Sequence, residues 1–288
     1  MSPEASLDAD LALARSAVLE AGSAVADFFG GEQEVRMKGP GQPVTPADLA
    51  AEEILRLRLA GARPGYGWLS EESVDEPVRL ERRHVWMVDP IDGTRSFISG
   101  RPEFAISVAL VEAGEPVLGF VYNPVTGELF WAVRGAGAWL DALGSPPLEG
   151  GREGGPPARR RLAVRGAGAS VLLASRSELR AGEFDPFQAS WELLPTGSTA
   201  YKMARVAAGD GDAFVSRGPK NEWDVCGAHI VVEEAGGQVC DLKGRPIRYN
   251  RPDSRVYGII ASSAVAGPRI LEEVRALEPH PRLTDPET

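Results

Sequence analysis

The chain has 288 residues, 43% of them hydrophobic and 25% charged, and carries a formal net charge of −10. That composition suits a globular protein with a sizeable core, in one large domain or two modest ones. The acidic balance excludes a nucleic-acid polymer as partner, because phosphate backbones are gripped by basic surfaces, but leaves open a small anionic substrate reached through bound cations.

The first helix is predicted over Leu7 to Phe29, where Leu7, Leu11, Ala14, Val18, Ala21, Val25 and Phe29 recur at helical spacing and Gly30-Gly31 stops the run. A second opens at Thr45-Pro46-Ala47-Asp48. Threonine suits the N-cap, proline the first helical position, and aspartate the third, where an acid meets free N–H groups. Ile54, Leu57 and Leu59 continue it, and YGWLSEES then reads as a strand. Val85-Trp86-Met87-Val88 has the length and character of a buried strand. From Phe104 to Leu140, short β-rich runs alternate with the turn signals AGEP, NPVTGE and RGAG, as in an antiparallel meander.

Residues 144–157 hold nine Gly or Pro in fourteen, which no helix or central strand tolerates. A flexible linker over 144–161 is therefore expected between an N-terminal half, 1–143, and a C-terminal half, 162–278. Arg159-Arg160-Arg161 reads as a solvated charge run. Beyond it strands and helices alternate, which implies an α/β layer. VLLAS is a strand, Ser177 caps a helix, and WELLP is a strand. Ser198 or Thr199 caps a helix to Ala208, DAFVS is a strand, and Asp224 to Glu234 is a helix ended by Gly236-Gly237. A hairpin, the strand VYGIIAS and a last helix from Ala264 follow, and the tail 279–288 has a disordered composition. No apolar run reaches membrane-spanning length, and MSPEASLDAD lacks the regions of a signal peptide. Cys226 and Cys240 form no metal-spacing motif or disulfide framework, so reduced core thiols and a cytoplasmic location are expected.

Four acidic stations carry the chemistry: Asp48, Glu71 in SEES, Asp89 with Asp92 in WMVDPIDGTRSF, and Asp224 in EWDVCGAH. Singly, Asp48 reads as a helix-start acid, Glu71 as a solvated loop acid and Asp224 as an N-cap. Two acids at the end of a buried strand have no such simple excuse, since desolvated carboxylates are costly without a positive partner. Convergent acids without basic partners repel and raise one another's pKa values, and hard divalent cations remove that conflict. An all-oxygen ligand set points to Mg²⁺ rather than zinc. Two or more such ions polarise a phosphoryl group and activate a water. Gly93-Thr94 would present helix-start N–H groups to a phosphate, and the Pro90-Ile91 turn would aim the Ile91 carbonyl at a metal. Thr94, with Glu71, would orient the attacking water. A haloacid-dehalogenase reading, in which the first aspartate of D-x-D-G-T is phosphorylated, fails on spacing, because Asp89 and Asp92 are three apart. His84, His229 and His280 are not needed as bases, and His229 reads as a packed helix residue.

VTPAD (44–48), SEES (70–73), WMVDPIDGTRSF (86–97) and WDVCGAHIVVEEAGG (223–237) resemble, in order and spacing, the motifs of the inositol monophosphatase family. That family groups Mg²⁺-dependent, lithium-sensitive phosphatases, including fructose-1,6-bisphosphatase and the 3'(2'),5'-bisphosphate nucleotidases. The resemblance implies an α/β (α+β) fold, a layered αβαβα sandwich with the site between two mixed halves. It implies two to three Mg²⁺ ions: Glu71, Asp89 and the Ile91 carbonyl on the first, Asp89, Asp92 and Asp224 on the second. Glu71 and, through water, Asp48 would serve the third, with Thr94 beside the nucleophile. A homodimer is compatible with it.

Inositol-specific members usually place a glutamate about seven residues before the metal-binding aspartate, where this chain has Arg217. Gly197-Ser198-Thr199-Ala200-Tyr201-Lys202, Gly218-Pro219-Lys220 and IRYNRPD (247–253) instead resemble the bisphosphate nucleotidases, so Lys202 and Lys220 are candidates for a second phosphate. The bland alternative makes both solvated charges. Adenosine 3',5'-bisphosphate or a related nucleotide is the first expectation. Inositol monophosphate, fructose-1,6-bisphosphate and a silent relative that only binds a partner stand as alternatives.

Overall fold

A computed structural model describes residues 6–39, 41–144, 158–166, 170–278 and 280. The outermost layer is α1 (Leu7–Phe28), which Ser6 caps, with α2 (Pro46–Leu55), which follows a small hairpin of β1 (Arg36–Gly39) and β2 (Gln42–Val44). The second helix runs on as a π-helical turn through Ala60; Leu59 in it is buried, while Leu57 faces solvent. Both helices lie on a seven-stranded sheet in simple chain order. Its strands are β3 (Gly67–Ser70), β4 (His84–Asp92), β5 (Ala105–Glu112), β6 (Glu115–Asn123), β7 (Glu128–Val133), β8 (Gly137–Ala142) and β9 (Ala158–Arg161). The β3–β4 pair is parallel and the rest is the antiparallel meander expected from the turn signals. The short α3 (Thr94–Ile98) follows β4 directly.

The five-stranded sheet has the order β11-β10-β12-β14-β13: β10 (Val171–Ala174), β11 (Glu192–Pro195), β12 (Ala213–Asn221), β13 (Gly237–Cys240) and β14 (Arg255–Ser263). Between the two sheets lie α5 (Thr199–Ala207) and α6 (Glu222–Glu234). The outer face of the second sheet is covered by α4 (Arg176–Arg180) and α7 (Gly267–Arg275), with Phe184, Phe187, Trp191 and Ile270 packed on Leu172 and Val215. The αβαβα sandwich is thus present.

Local chemistry revises several expected boundaries. Ser175, not Ser177, precedes α4, and Asn221, not Asp224, caps α6. Arg159-Arg160-Arg161 is exposed, as a solvated charge run should be, but it is also ordered, within the stretch expected as linker. It is the edge strand β9, where Arg159 pairs with Asp141 at 2.6 Å and lies over Trp131, while Arg161 lies over Trp139. A charged edge strand also resists pairing with other chains. The Gly/Pro-rich stretch 145–157 and most of the tail lie outside the described residues; His280, within that tail, is buried and pairs with Glu183 at 3.3 Å. Among the described residues no helix is long and apolar enough to cross a membrane.

α6 sits unusually close to the first sheet, because a Cβ on Gly119 would come within 2.2 Å of the Gly227 carbonyl and 2.5 Å of the Ile230 side chain. Gly119→Ala should therefore destabilise the protein by about 1–3 kcal/mol or more, as overpacking does, read as a lower denaturation midpoint. It should also disturb the acids that α6 carries.

A candidate metal centre under a cationic rim

The site is built where β4 ends. The register of β4 against β5 shifts between Asp89 and Asp92, so the Pro90-Ile91 step forms a bulge, the place where a sheet tolerates proline. Asp89 and Asp92 thereby point into the same region although three apart. Asp89 is 1% exposed, and its Oδ1 accepts the Ile91 N–H at 3.0 Å. Gly93 follows with φ of 98°, a conformation that favours glycine, and a Cβ there would press on Glu103, Phe104 and Ser198.

Glu71, at the end of β3, and Asp224, in the first turn of α6, complete the cluster. Carboxylate oxygens of Glu71, Asp89 and Asp224 lie within 4.8 Å of one another. Asp224 spends Oδ2 on the Asn221 N–H at 2.9 Å, which fixes its rotamer and leaves the other oxygen for the cluster. Asp92 is held apart from the triad: its Oδ2 accepts from the Ser198 hydroxyl at 2.5 Å and the Ala200 N–H at 2.6 Å. Ser198 caps α5 at φ of 58°, so this contact rests on a strained residue.

Asp48 spends both oxygens within the protein. Oδ2 accepts from the Thr45 N–H at 2.8 Å and hydroxyl at 2.6 Å, and Oδ1 faces the Thr94 hydroxyl at 3.2 Å. That hydroxyl also lies 3.0 Å from the Ile91 carbonyl. Thr94 is therefore oriented by two acceptors competing for one proton.

The electrostatics are those of crowded, desolvated acids. Burial, then Glu71, Asp92 and Asp224, push the Asp89 carboxyl well above its usual range. Burial, with Asp92 and Glu71, pushes Asp224 up to about 8. Burial raises Asp92 although Ser198 and Lys202 oppose it, and raises Asp48 against its hydrogen bonds. Lys38, on β1, brings a positive charge to their edge, donating to Glu71 at 2.9 Å and Glu72 at 2.6 Å. Sequence reasoning did not single out this lysine. The donor set is all oxygen, crowded and desolvated, which fits a hard divalent ion.

These acids floor a cavity of about 480 Å³. Glu71, Asp89, Ile91, Asp92, Gly93, Thr94, Gly197, Ser198, Lys220 and Asp224 all line it, whereas Asp48 and Lys202 do not. Gly197 is there for closeness, since a Cβ would meet Ser96 Oγ at 2.3 Å. Lys202 lies behind the wall, 2% exposed, its ammonium 5.0 Å from the Phe214 ring centroid and donating to the Thr196 carbonyl at 3.4 Å. Burial lowers its pKa to about 8, against the pull of Glu178. Glu178 also pairs with Lys220 at 3.4 Å; burial pushes its carboxyl up, but the two lysines outweigh that and hold it below the usual range. The lining also includes Arg95, Arg101, Arg176 and Arg180, which sequence reasoning missed. Arg176 is clamped by Glu103, whereas Arg101 and Arg180 have no carboxylate partner among the described residues.

A family model, the inositol monophosphatase family, matches residues 6–278. The chain belongs to the inositol monophosphatase family. It is 39% identical over 239 residues to an inositol-1-monophosphatase of Rhizobium meliloti, covering 79% of this chain and 84% of the relative. It is 33% identical over 254 residues to the 3'(2'),5'-bisphosphate nucleotidase CysQ of Escherichia coli, covering 86% and 95%. Among solved structures, the extragenic suppressor protein suhB from Bartonella henselae superposes with a TM-score of 0.77 at 29% identity, covering 93% of this chain and 99% of that one. The protein is accordingly a metal-dependent phosphoric monoester hydrolase. As a phosphatase of this family it acts on small phosphorylated substrates.

The histidines stay outside this chemistry. His229 is buried against the Tyr249 hydroxyl at 2.6 Å, His84 stacks on Tyr66, and His280 meets Glu183. Arg217, at the position where inositol-specific members usually carry glutamate, donates to the Glu278 carbonyl and does not line the cavity.

Proposed function

We propose that the protein is a Mg²⁺-dependent phosphatase that removes the 3'-phosphate of adenosine 3',5'-bisphosphate or a related nucleotide, leaving the 5'-monophosphate. The observation that carries this reading is the mixed lining of one cavity: acids for ions and the scissile phosphate, together with Arg101 and Arg180, which have no carboxylate partner among the described residues. Such guanidiniums in a cleft suit a second anionic group, which inositol monophosphate lacks.

Glu71, Asp89, the Ile91 carbonyl, Asp92 and Asp224 would hold two to three Mg²⁺ ions. When bound, such ions neutralise phosphoryl oxygens and lower the pKa of water. The chain's own contribution is positional. With the Thr94 proton directed at Asp48 and Ile91, its Oγ1 lone pair is free to accept from the attacking water. Gly93, Thr94 and Arg95 line the cavity where α3 begins, so the N–H groups of Thr94 and Arg95 can hold phosphate oxygens, while those of Ser96 and Phe97 donate to the Gly93 carbonyl. Arg101 and Arg180 then fix the far end of the substrate.

Phosphate release from adenosine 3',5'-bisphosphate, inositol 1-phosphate and fructose 1,6-bisphosphate, compared at saturating Mg²⁺, tests the reading. Preference for the nucleotide is expected, and exclusive turnover of inositol 1-phosphate refutes it. Replacing Arg101 and Arg180 by alanine should raise KM for the bisphosphate about ten- to a hundredfold, since hydrogen bonds to charged groups are worth about 1.5–3 kcal/mol. Turnover of a monophosphate should barely change.

A further inference from the structure

The loop that begins at Glu71 is anchored at its far end by a buried arginine. Arg79 is 1% exposed, and its guanidinium holds Asp75 through two bonds, Nε at 2.6 Å and Nη2 at 2.8 Å. The same fork crosses to the other half of the protein, donating to Asn250 Oδ1 at 2.7 Å and to the Arg251 carbonyl at 2.9 Å. Asn250 returns a bond from Nδ2 to the Arg79 carbonyl at 3.1 Å. From the opposite side, Glu222 accepts the N–H groups of Asn250 at 2.8 Å and of Arg251 at 3.1 Å. Glu222 opens α6 and stands two residues before Asp224. One dipeptide is thus gripped from one side by the Glu71 loop and from the other by the Asp224 helix. The seat is tight: a Cβ on Gly67, in β3, would come within 3.0 Å of the Arg79 Cβ and 3.1 Å of its Cα.

We infer that Arg79 is a positioning residue for the metal centre, setting the separation of Glu71 from Asp224 through the Asn250–Arg251 bridge. The inference rests on reading Glu71 and Asp224 as ligands of the same ion cluster. A planar fork with several bonds to fixed acceptors holds distance and angle together, which a point charge does not. Residues that orient metal ligands change metal affinity more than they change substrate contacts.

Calorimetric titration of magnesium chloride into the metal-free full chain, without substrate, reads this directly. Arg79→Met should raise the Kd for Mg²⁺ roughly ten- to a hundredfold, and at saturating Mg²⁺ leave KM for substrate within about threefold. Asn250→Gly carries the test if the first variant does not fold. It removes only the bridging side chain, and glycine is unstrained at the observed φ of 60°. A smaller rise of the same sign is expected. Arg63→Met is the control: Arg63 holds the buried Asp10 at 2.6 Å in a network away from the acids. It should lower the melting temperature and leave Mg²⁺ affinity unchanged. Wild-type affinity in folded Arg79→Met or Asn250→Gly overturns the inference, as does an equal loss in Arg63→Met. If the wild-type chain takes up no Mg²⁺, the reading of the site falls, and the inference with it.

Discussion

Asp89→Asn should cut turnover by about a thousandfold or more, because several kcal/mol of charge stabilisation is lost with the bound ions. It should at the same time raise the melting temperature of the metal-free protein. The two effects have one cause. Asp89 is buried and shares its surroundings with Glu71, Asp92 and Asp224, each of which pushes its carboxyl upward. An amide keeps the shape and can still accept the Ile91 N–H from Oδ1, as the acid does at 3.0 Å. The backbone bulge is therefore expected to survive. What disappears is a carboxyl that can ionise only at a cost inside a crowded group, which weakens metal binding and removes that cost when no metal is present. Steady-state kinetics with melting curves in chelator and in Mg²⁺ check both halves. Retained activity would remove Asp89 from the chemistry, and a lowered melting temperature in chelator would show that repulsion among the acids is outweighed there by the contacts of the carboxylate.

Much of this arrangement was legible in the sequence, because local signals set it. The apolar run into Asp89, the Pro90-Ile91 step and Gly93-Thr94 occupy adjacent positions and together specify a strand end, a bulge and a helix start. The Thr45-Pro46-Ala47-Asp48 cap is as local, and it formed as expected. What stayed hidden depends on distant pairing. Arg176 meets Glu103 across 73 residues, and Lys38 reaches Glu71 across 33. No periodicity reports such contacts. Lys202 shows the converse: its motif resembled one that meets a second phosphate, with a solvated helix position as the alternative, but α5 is buried on nearly every side and its ammonium lies against Phe214. The triple arginine of β9 was hidden by composition, because charge alone says nothing of the tryptophans on which those side chains lie.

The metal-free protein should be most stable near about pH 5 and lose stability toward pH 8, by more than about 1 kcal/mol or about 2 °C. The sign follows from which state holds more protons. Asp224 is raised from 3.8 to about 8, Glu72 and Glu222 from 4.5 to about 7, and Asp89, Asp92 and Asp48 are raised as well. For these groups the folded chain binds more protons than the unfolded chain throughout that window. Their contribution is complete below the unfolded values of 3.8 and 4.5 and is lost as pH rises through about 7 and about 8. Groups with lowered values, such as Asp253 at about 2 with Asp141 and Glu178, work in the opposite sense. Their stabilisation is present above the unfolded values and is lost only as pH falls through the folded ones, so it shapes the acid limb. Mg²⁺ competes with protons for the raised carboxylates, so its stabilisation should be larger at pH 8 than at pH 5 and should flatten the slope. Melting curves from pH 4 to 9, with chelator and with Mg²⁺, measure this. Asp224→Asn should abolish much of the slope in chelator. A metal-free protein that instead gained stability from pH 5 to 8 would mean that these acids are ionised without strain, and that the crowding at Asp89 is not the force that recruits the ion.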